Sequence, residues 1–334
     1  MSDQPPLLIR HLLGMYAMDT LAMGRVSGAL DALAQSPGTV ADVAARARLD
    51  ERNTDLWLRA MAAAGHATHD RGTFTLNPET ASLLGPAFPI DLGAVLDFVH
   101  AAFAEPLQLA TDAMRTGEGV ASSHFAELAA SVGSANSRVY GAALVDEWVA
   151  AVPGLADRLA AGGRIADVAC GNGDAAAVMA GAFPASHVFG FDPGAPEGAH
   201  AGLANLEIVR DVAAVLPADG SFDLVTCLDS FHHLGDVGAV ARQVHDALGD
   251  GGVFLIAETA LSGDIDADNA DPFSLIAHAS ALMYCMQENI ASGGDGATPS
   301  VGLGWVTDAL TSAGFSSVET LDSETGYRVF LATR

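Results

Sequence analysis

The sequence predicts a helical N-terminal region followed by a doubly wound α/β sheet, and three observations carry that expectation. Over residues 7 to 160 apolar side chains recur at helical spacing, interrupted by one short alternating stretch. From Arg164 onward, short apolar runs alternate with alanine-rich stretches long enough to be crossover helices, which implies parallel strand pairing. The length, 334 residues, exceeds what one core usually takes, so more than one folding unit is expected.

Residues 7 to 34 keep apolar groups on one helical face until Ser36-Pro37-Gly38 breaks the pattern. Thr39 has the character of an N-cap, with Val40, Val43 and Ala44 following on one face. Asp50 opens a further helix through Leu56, Leu58 and Met61. Residues 67 to 76 alternate around Asp70-Arg71-Gly72, the pattern of a two-stranded wing, so residues 1 to 85 have the plan of a winged helix. Residues 86 to 160 read as amphipathic helices joined by turns such as Thr116-Gly117-Glu118-Gly119, a helical linker. The remainder, 161 to 334, carries the strands: 164 to 169, 187 to 191, the pair Ile208-Val209, 222 to 228 and 252 to 257. A final antiparallel pair is expected at 317 to 321 and 327 to 331.

Composition excludes several functions. The formal charge of −26 opposes a nucleic-acid partner, since phosphate backbones are bound by neutralising them with basic side chains. Residues 1 to 80 hold 7 arginines against 9 acids, whereas 81 to 334 hold 8 against 32, so the N-terminal region is close to neutral. There is no lysine, which excludes Schiff-base chemistry. Cys170, Cys227 and Cys285 are too widely spaced for a disulfide framework or a zinc motif and read as small core hydrophobes, with no metal expected. No apolar run is long enough to span a membrane, and Asp3, Pro5 and Pro6 stand where a signal peptide has basic residues, so a cytoplasmic protein is expected.

The most informative segment is Asp167-Val168-Ala169-Cys170-Gly171-Asn172-Gly173-Asp174, a strand running into a glycine turn and then a helix. Glycine is needed there because the backbone turns sharply and a ligand approaches it without a Cβ in the way. Gly171 and Gly173 with Ala176 also satisfy a relaxed dinucleotide fingerprint, but Asp167 occupies a late strand position that dehydrogenases usually keep apolar. Asp192 ends the next strand, where a carboxylate can accept both hydroxyls of a ribose, and Asp211 follows the strand after that.

On these residues the chain resembles the class I S-adenosylmethionine-dependent methyltransferases over 164 to 331. Asp167, Gly171 and Gly173 match their first motif, with Ala169 in place of a frequent first glycine. The resemblance implies a Rossmann-like sheet whose last strand is antiparallel. It also implies S-adenosyl-L-methionine as cofactor, with S-adenosyl-L-homocysteine as its product, held by Asp167, Gly171, Gly173, Asp192, Asp211, Val212 and Asp229. The N-terminal layout is similar to that of small-molecule O-methyltransferases, where such a domain serves homodimerisation. Their catalytic His-Asp-Trp segment aligns with His232-His233-Leu234, making His232 the candidate base and Glu258 the carboxylate that orients it. The family's second carboxylate has no match, its place being taken by Pro299-Ser300-Val301. His100, Phe103, His278 and Met283 are candidate walls of the acceptor pocket.

The expected activity is therefore methyl transfer to oxygen of a small, partly apolar acceptor, as in bacterial secondary metabolism. One alternative is metal-assisted C-methylation of a keto acid, with His232 and His278 as ligands. Another is a winged-helix transcription regulator with a ligand-sensing sheet domain, which the cancelling charges of Glu51, Arg52, Asp55 and Arg59 oppose.

Overall fold

The computed structural model describes residues 6 to 334 except 89, 103, 104, 212 to 215 and 272. The chain divides into two compact units, residues 1 to 104 and 105 to 334.

In the first unit the helical stretch expected over 7 to 34 is two helices, Leu7–Ser27 and Ala29–Gln35. They part at Gly28, whose φ of 79° only glycine adopts without penalty. Thr39 and Asp42 form a capping box on Val40–Ala47, and Asp50 caps Glu51–Ala63 through the Asn53 N–H. Strands β1 (Ala67–Asp70) and β2 (Thr73–Leu76) pair antiparallel as the alternation predicts. Leu21, Leu33, Leu58, Met61, Phe74 and Leu96 share one core. Leu96 brings its helix, Leu92–Ala102, into this unit, apart from the helices that follow it in the chain.

The second unit opens with helices Glu105–Thr116 and Ala126–Val139; the latter runs on into a π-helical stretch, Tyr140–Val149. The strands are β3 (Arg164–Val168), β4 (His187–Phe191), β5 (Leu206–Val209), β6 (Phe222–Leu228), β7 (Leu248–Thr259), β8 (Ser317–Asp322) and β9 (Tyr327–Thr333). They form one sheet in the order β5-β4-β3-β6-β7-β9-β8, with all strands running the same way except β9, which is antiparallel to both of its neighbours, β7 and β8. The alternation of side chains along each strand builds two cores, one on each face. Ile165, Leu224 and Leu255 pack on one face with Trp148, Leu159 and Met179, while Ala166, Val225 and Phe254 pack on the other with Val244, Val306 and Leu310. Chain order reverses between β3 and β6, which places a crevice at the carboxyl ends of those two strands. Among the described residues no helix is long and apolar enough to cross a membrane.

Candidate active site

The turn after β3 has three residues with left-handed backbone: Ala169 at φ 54°, Gly171 at 54° and Gly173 at 82°. A Cβ on Gly173 would crowd Ile208 Cδ1 at 3.0 Å, whereas one on Gly171 would meet nothing within 4 Å, so the chain leaves open space beside Gly171. Ala169 adopts its conformation against the preference of an L-residue, a cost of roughly 1–2 kcal/mol that a glycine would avoid. Asp192 fixes this turn from the end of β4. Its Oδ2 accepts the Gly171 N–H at 2.9 Å and its Oδ1 accepts the Gly194 N–H at 2.7 Å. Each oxygen keeps a further lone pair for a ligand hydroxyl.

Asp167 is buried and accepts a 2.6 Å hydrogen bond from Thr226 Oγ1 on the neighbouring strand β6. Burial pushes its carboxyl up to about 7, so a cation placed beside Asp167 would favour its ionised form. Burial also raises Asp192. Asp211 lies exposed just after β5, and Val212 lies outside the described residues. Asp229, just past β6, has φ 51° and accepts the Asn136 amide at 2.9 Å.

The second part of the site is the helical turn Phe231–His233 after β6. Glu258, wholly buried in β7, holds His232 at two points. Oε1 accepts the His232 backbone N–H at 3.1 Å, and Oε2 lies 2.6 Å from Nδ1. The buried Asn289 side chain donates to the carbonyls of His232 and Leu234, at 2.9 and 3.3 Å, closing the turn from the opposite side. Nδ1 of His233 lies 2.6 Å from Glu288 Oε2, and its ring packs 4.7 Å from that of Tyr284.

Cys285 faces both imidazoles. A sulfur or nitrogen atom from each of His232, His233 and Cys285 lies within 4.8 Å of the others. Burial disfavours charge on His232, but Glu258 and Cys285 outweigh it and hold this imidazole well above the usual range. For His233, burial and the charge of His232 are outweighed by Cys285 and Glu288, giving about 9. Burial alone would raise the Cys285 thiol, yet the two imidazoles bring it down to about 7. The reading of the cysteines as small core hydrophobes thus holds for buried Cys227, whereas Cys170 and Cys285 are only half-buried and Cys285 sits against two imidazoles.

His278 is half-buried on helix Ser274–Ser280, where its charge acts on Asp268, and it does not join the group around His232. Met283 is half-buried on the π-helical turn Ala281–Cys285. His100 belongs to the first unit and is exposed there, while Phe103 lies outside the described residues. Sequence reasoning missed Cys285, Glu288 and Asn289. Their spacing of three and four residues puts them on one side of a helix, and this polar stripe in an apolar stretch is the signal that marks them. Glu288 provides a second carboxylate at the site from an unexpected element, whereas Pro299–Val301 forms only a single turn.

Residues 140 to 288 match the methyltransferase domain family. The sequence matches no curated protein. In fold the chain is similar to human N-acetylserotonin methyltransferase, solved in complex with S-adenosylmethionine, at 20% identity and a TM-score of 0.73 over 100% of this chain and 99% of that one. The mitomycin 7-O-methyltransferase is similar at 19% identity and 0.73, over 98% and 96%. A member of the O-methyltransferase family from Burkholderia thailandensis is similar at 20% and 0.68, over 95% and 94%.

Proposed function

Starting from the methyltransferase domain that the chain carries, we propose that it moves a methyl group from S-adenosylmethionine to a hydroxyl oxygen of a small, partly apolar acceptor. The observation that carries the reading is the His232–Glu258 pair. It stands at the carboxyl end of β6, directly beside the glycine turn that ends β3, because β3 and β6 are adjacent strands in register at Asp167 and Thr226. The residues fit the donor. The open space at Gly171 admits a ligand against the backbone, Asp192 has acceptor capacity for ribose hydroxyls, and buried Asp167 calls for an ammonium. When bound, the donor supplies an electrophilic methyl on sulfonium sulfur, whose leaving group departs without acid help.

The chain's own task is to align the acceptor and take its proton. A phenol-like hydroxyl with a pKa of about 10 is a poor nucleophile while protonated. In its neutral form His232 receives that proton as the new bond forms. Glu258 and Cys285 favour the imidazolium, so turnover should rise with pH as more of the neutral ring is present. Glu258 also holds the ring in place and stabilises the imidazolium that results. We expect His232→Ala, in metal-free protein, to lose about 10²- to 10⁴-fold in turnover while its calorimetric affinity for S-adenosylmethionine stays within about twofold. Retention of more than about a third of the turnover would assign catalysis to proximity alone.

Further parts of the reading concern setting and partners. Leu8, Leu12 and Tyr16 form an exposed apolar face on Leu7–Ser27, which supports a homodimer. Cys170, Cys227 and Cys285 are all free thiols, which supports a reducing, cytoplasmic setting. A nucleic-acid role is disfavoured by the charge of −26 and by the pairing of Arg59 with Asp55 at 2.8 Å on helix Glu51–Ala63.

A further inference from the structure

We propose that His232, His233 and Cys285 form a binding site for a soft divalent cation of the zinc class, and that its occupancy silences methyl transfer by taking His232 out of proton transfer. The consequence for turnover rests on the base role of His232; the binding itself does not.

Two imidazoles and a thiol are the donor set such ions favour, and their atoms lie within 4.8 Å of one another. Tetrahedral zinc with bonds of about 2.1 Å to nitrogen and 2.3 Å to sulfur sets its ligands about 3.5 Å apart. The three side chains therefore need to close by no more than about 1.3 Å. The stronger observation is what stands behind the histidines. Nδ1 of His232 lies 2.6 Å from Glu258, and Nδ1 of His233 lies 2.6 Å from Glu288. Metal-binding histidines are commonly backed in this way by a carboxylate on the ring nitrogen that does not bind, which orients the ring and strengthens the other nitrogen as a donor. Nδ1 of His232 is hydrogen-bonded to Glu258, which leaves its Nε2 for the ion, and Glu288 stands beside Nδ1 of His233, where it can take the same part. His233 and Cys285 are only partly buried, which leaves an entry route, and three protein ligands leave a fourth position for water.

The elements also explain why these groups meet. Asn289 binds the carbonyls of the His232 turn, and its own helical stretch carries Cys285 one turn earlier and Glu288 immediately before it. One hydrogen-bonded clasp thus sets the thiol and the second carboxylate against the two imidazoles.

The test uses the full chain stripped with a chelator. Zinc titrated by calorimetry should bind at one ion per chain with micromolar or tighter affinity, and cobalt should give a thiolate-to-cobalt charge-transfer band. Cys285→Ser should abolish the band and weaken zinc at least about tenfold, and His233→Ala should weaken zinc by a similar factor. Circular dichroism confirms that each variant is folded, and the second variant serves if the first is not. Zinc should also stop methyl transfer by the wild-type chain, with EDTA restoring it. Absence of the band, or zinc affinity unchanged in both variants, overturns the site. Tight binding without inhibition removes the silencing role, and His232→Ala in metal-free protein then tests the base reading separately.

Discussion

Asp167 shows how one residue can report on the ligand it serves. Its carboxyl is raised from the ordinary 3.8 to about 7 by burial, so the fold favours the protonated form. In the free protein this stability is present below about pH 4 and is lost as pH rises through about 7. An ammonium placed beside Asp167 reverses the preference and drives the proton off. Binding of S-adenosylmethionine near pH 6 should therefore release up to about one proton, seen as a binding enthalpy that varies with the ionisation enthalpy of the buffer. Above about pH 9 the dependence should vanish. No proton release at pH 6 would remove Asp167 from contact with a cationic group. At this scale the sequence reveals residues whose place follows from a strand end, such as Asp192, His232 and Glu258. It hides Cys285 and Glu288, because they reach the site only through a helix docked from a distant part of the chain. It also conceals the strain at Ala169, since a left-handed φ is a property of the turn and not of the residue type.

At the scale of elements, the period of two in the strands and the glycine turns make the sheet readable almost throughout. β7 is the exception: it begins at Leu248, ahead of the expected 252, because Gly249 to Gly252 form an irregularity against Phe222 and Leu224. The helical N-terminal stretch reads as one element because Gly28 alone does not interrupt its apolar face, yet its backbone does. Packing between elements is less legible, and Gly235 illustrates it. A Cβ there would overlap the carbonyl oxygen of Ser292, so the His232 turn and the end of helix Met286–Ala291 touch backbone to side-chain-free backbone. Gly235→Ala should push the two apart and loosen the clasp made by Asn289. We expect turnover to fall at least about tenfold, because a misplacement of about 1 Å at reacting groups can cost about 10²-fold. The melting temperature should fall as well. Turnover equal to wild type would show that the clasp is not needed to position His232.

For the whole molecule, the exposed apolar face of Leu7–Ser27 sets the expected assembly. Light scattering should give twice the 34.0 kDa chain mass. Leu8 and Leu12 lie one helical turn apart and are 78% and 45% exposed, so Leu8→Glu with Leu12→Glu should yield monomers without loss of stability. A wild-type monomer, or a dimer that survives both substitutions, places the interface elsewhere. The order of the strands, finally, has a consequence for synthesis. Among the described residues β7 gains its outer neighbour from β9 alone, and β8, made earlier, pairs with no strand but β9. Until the ribosome has delivered residues 327 to 333, the nascent chain carries the bare edge of a hydrophobic strand and a second strand with nothing to join. The interval in which this sheet is open to pairing with a stranger therefore closes only when β9 docks.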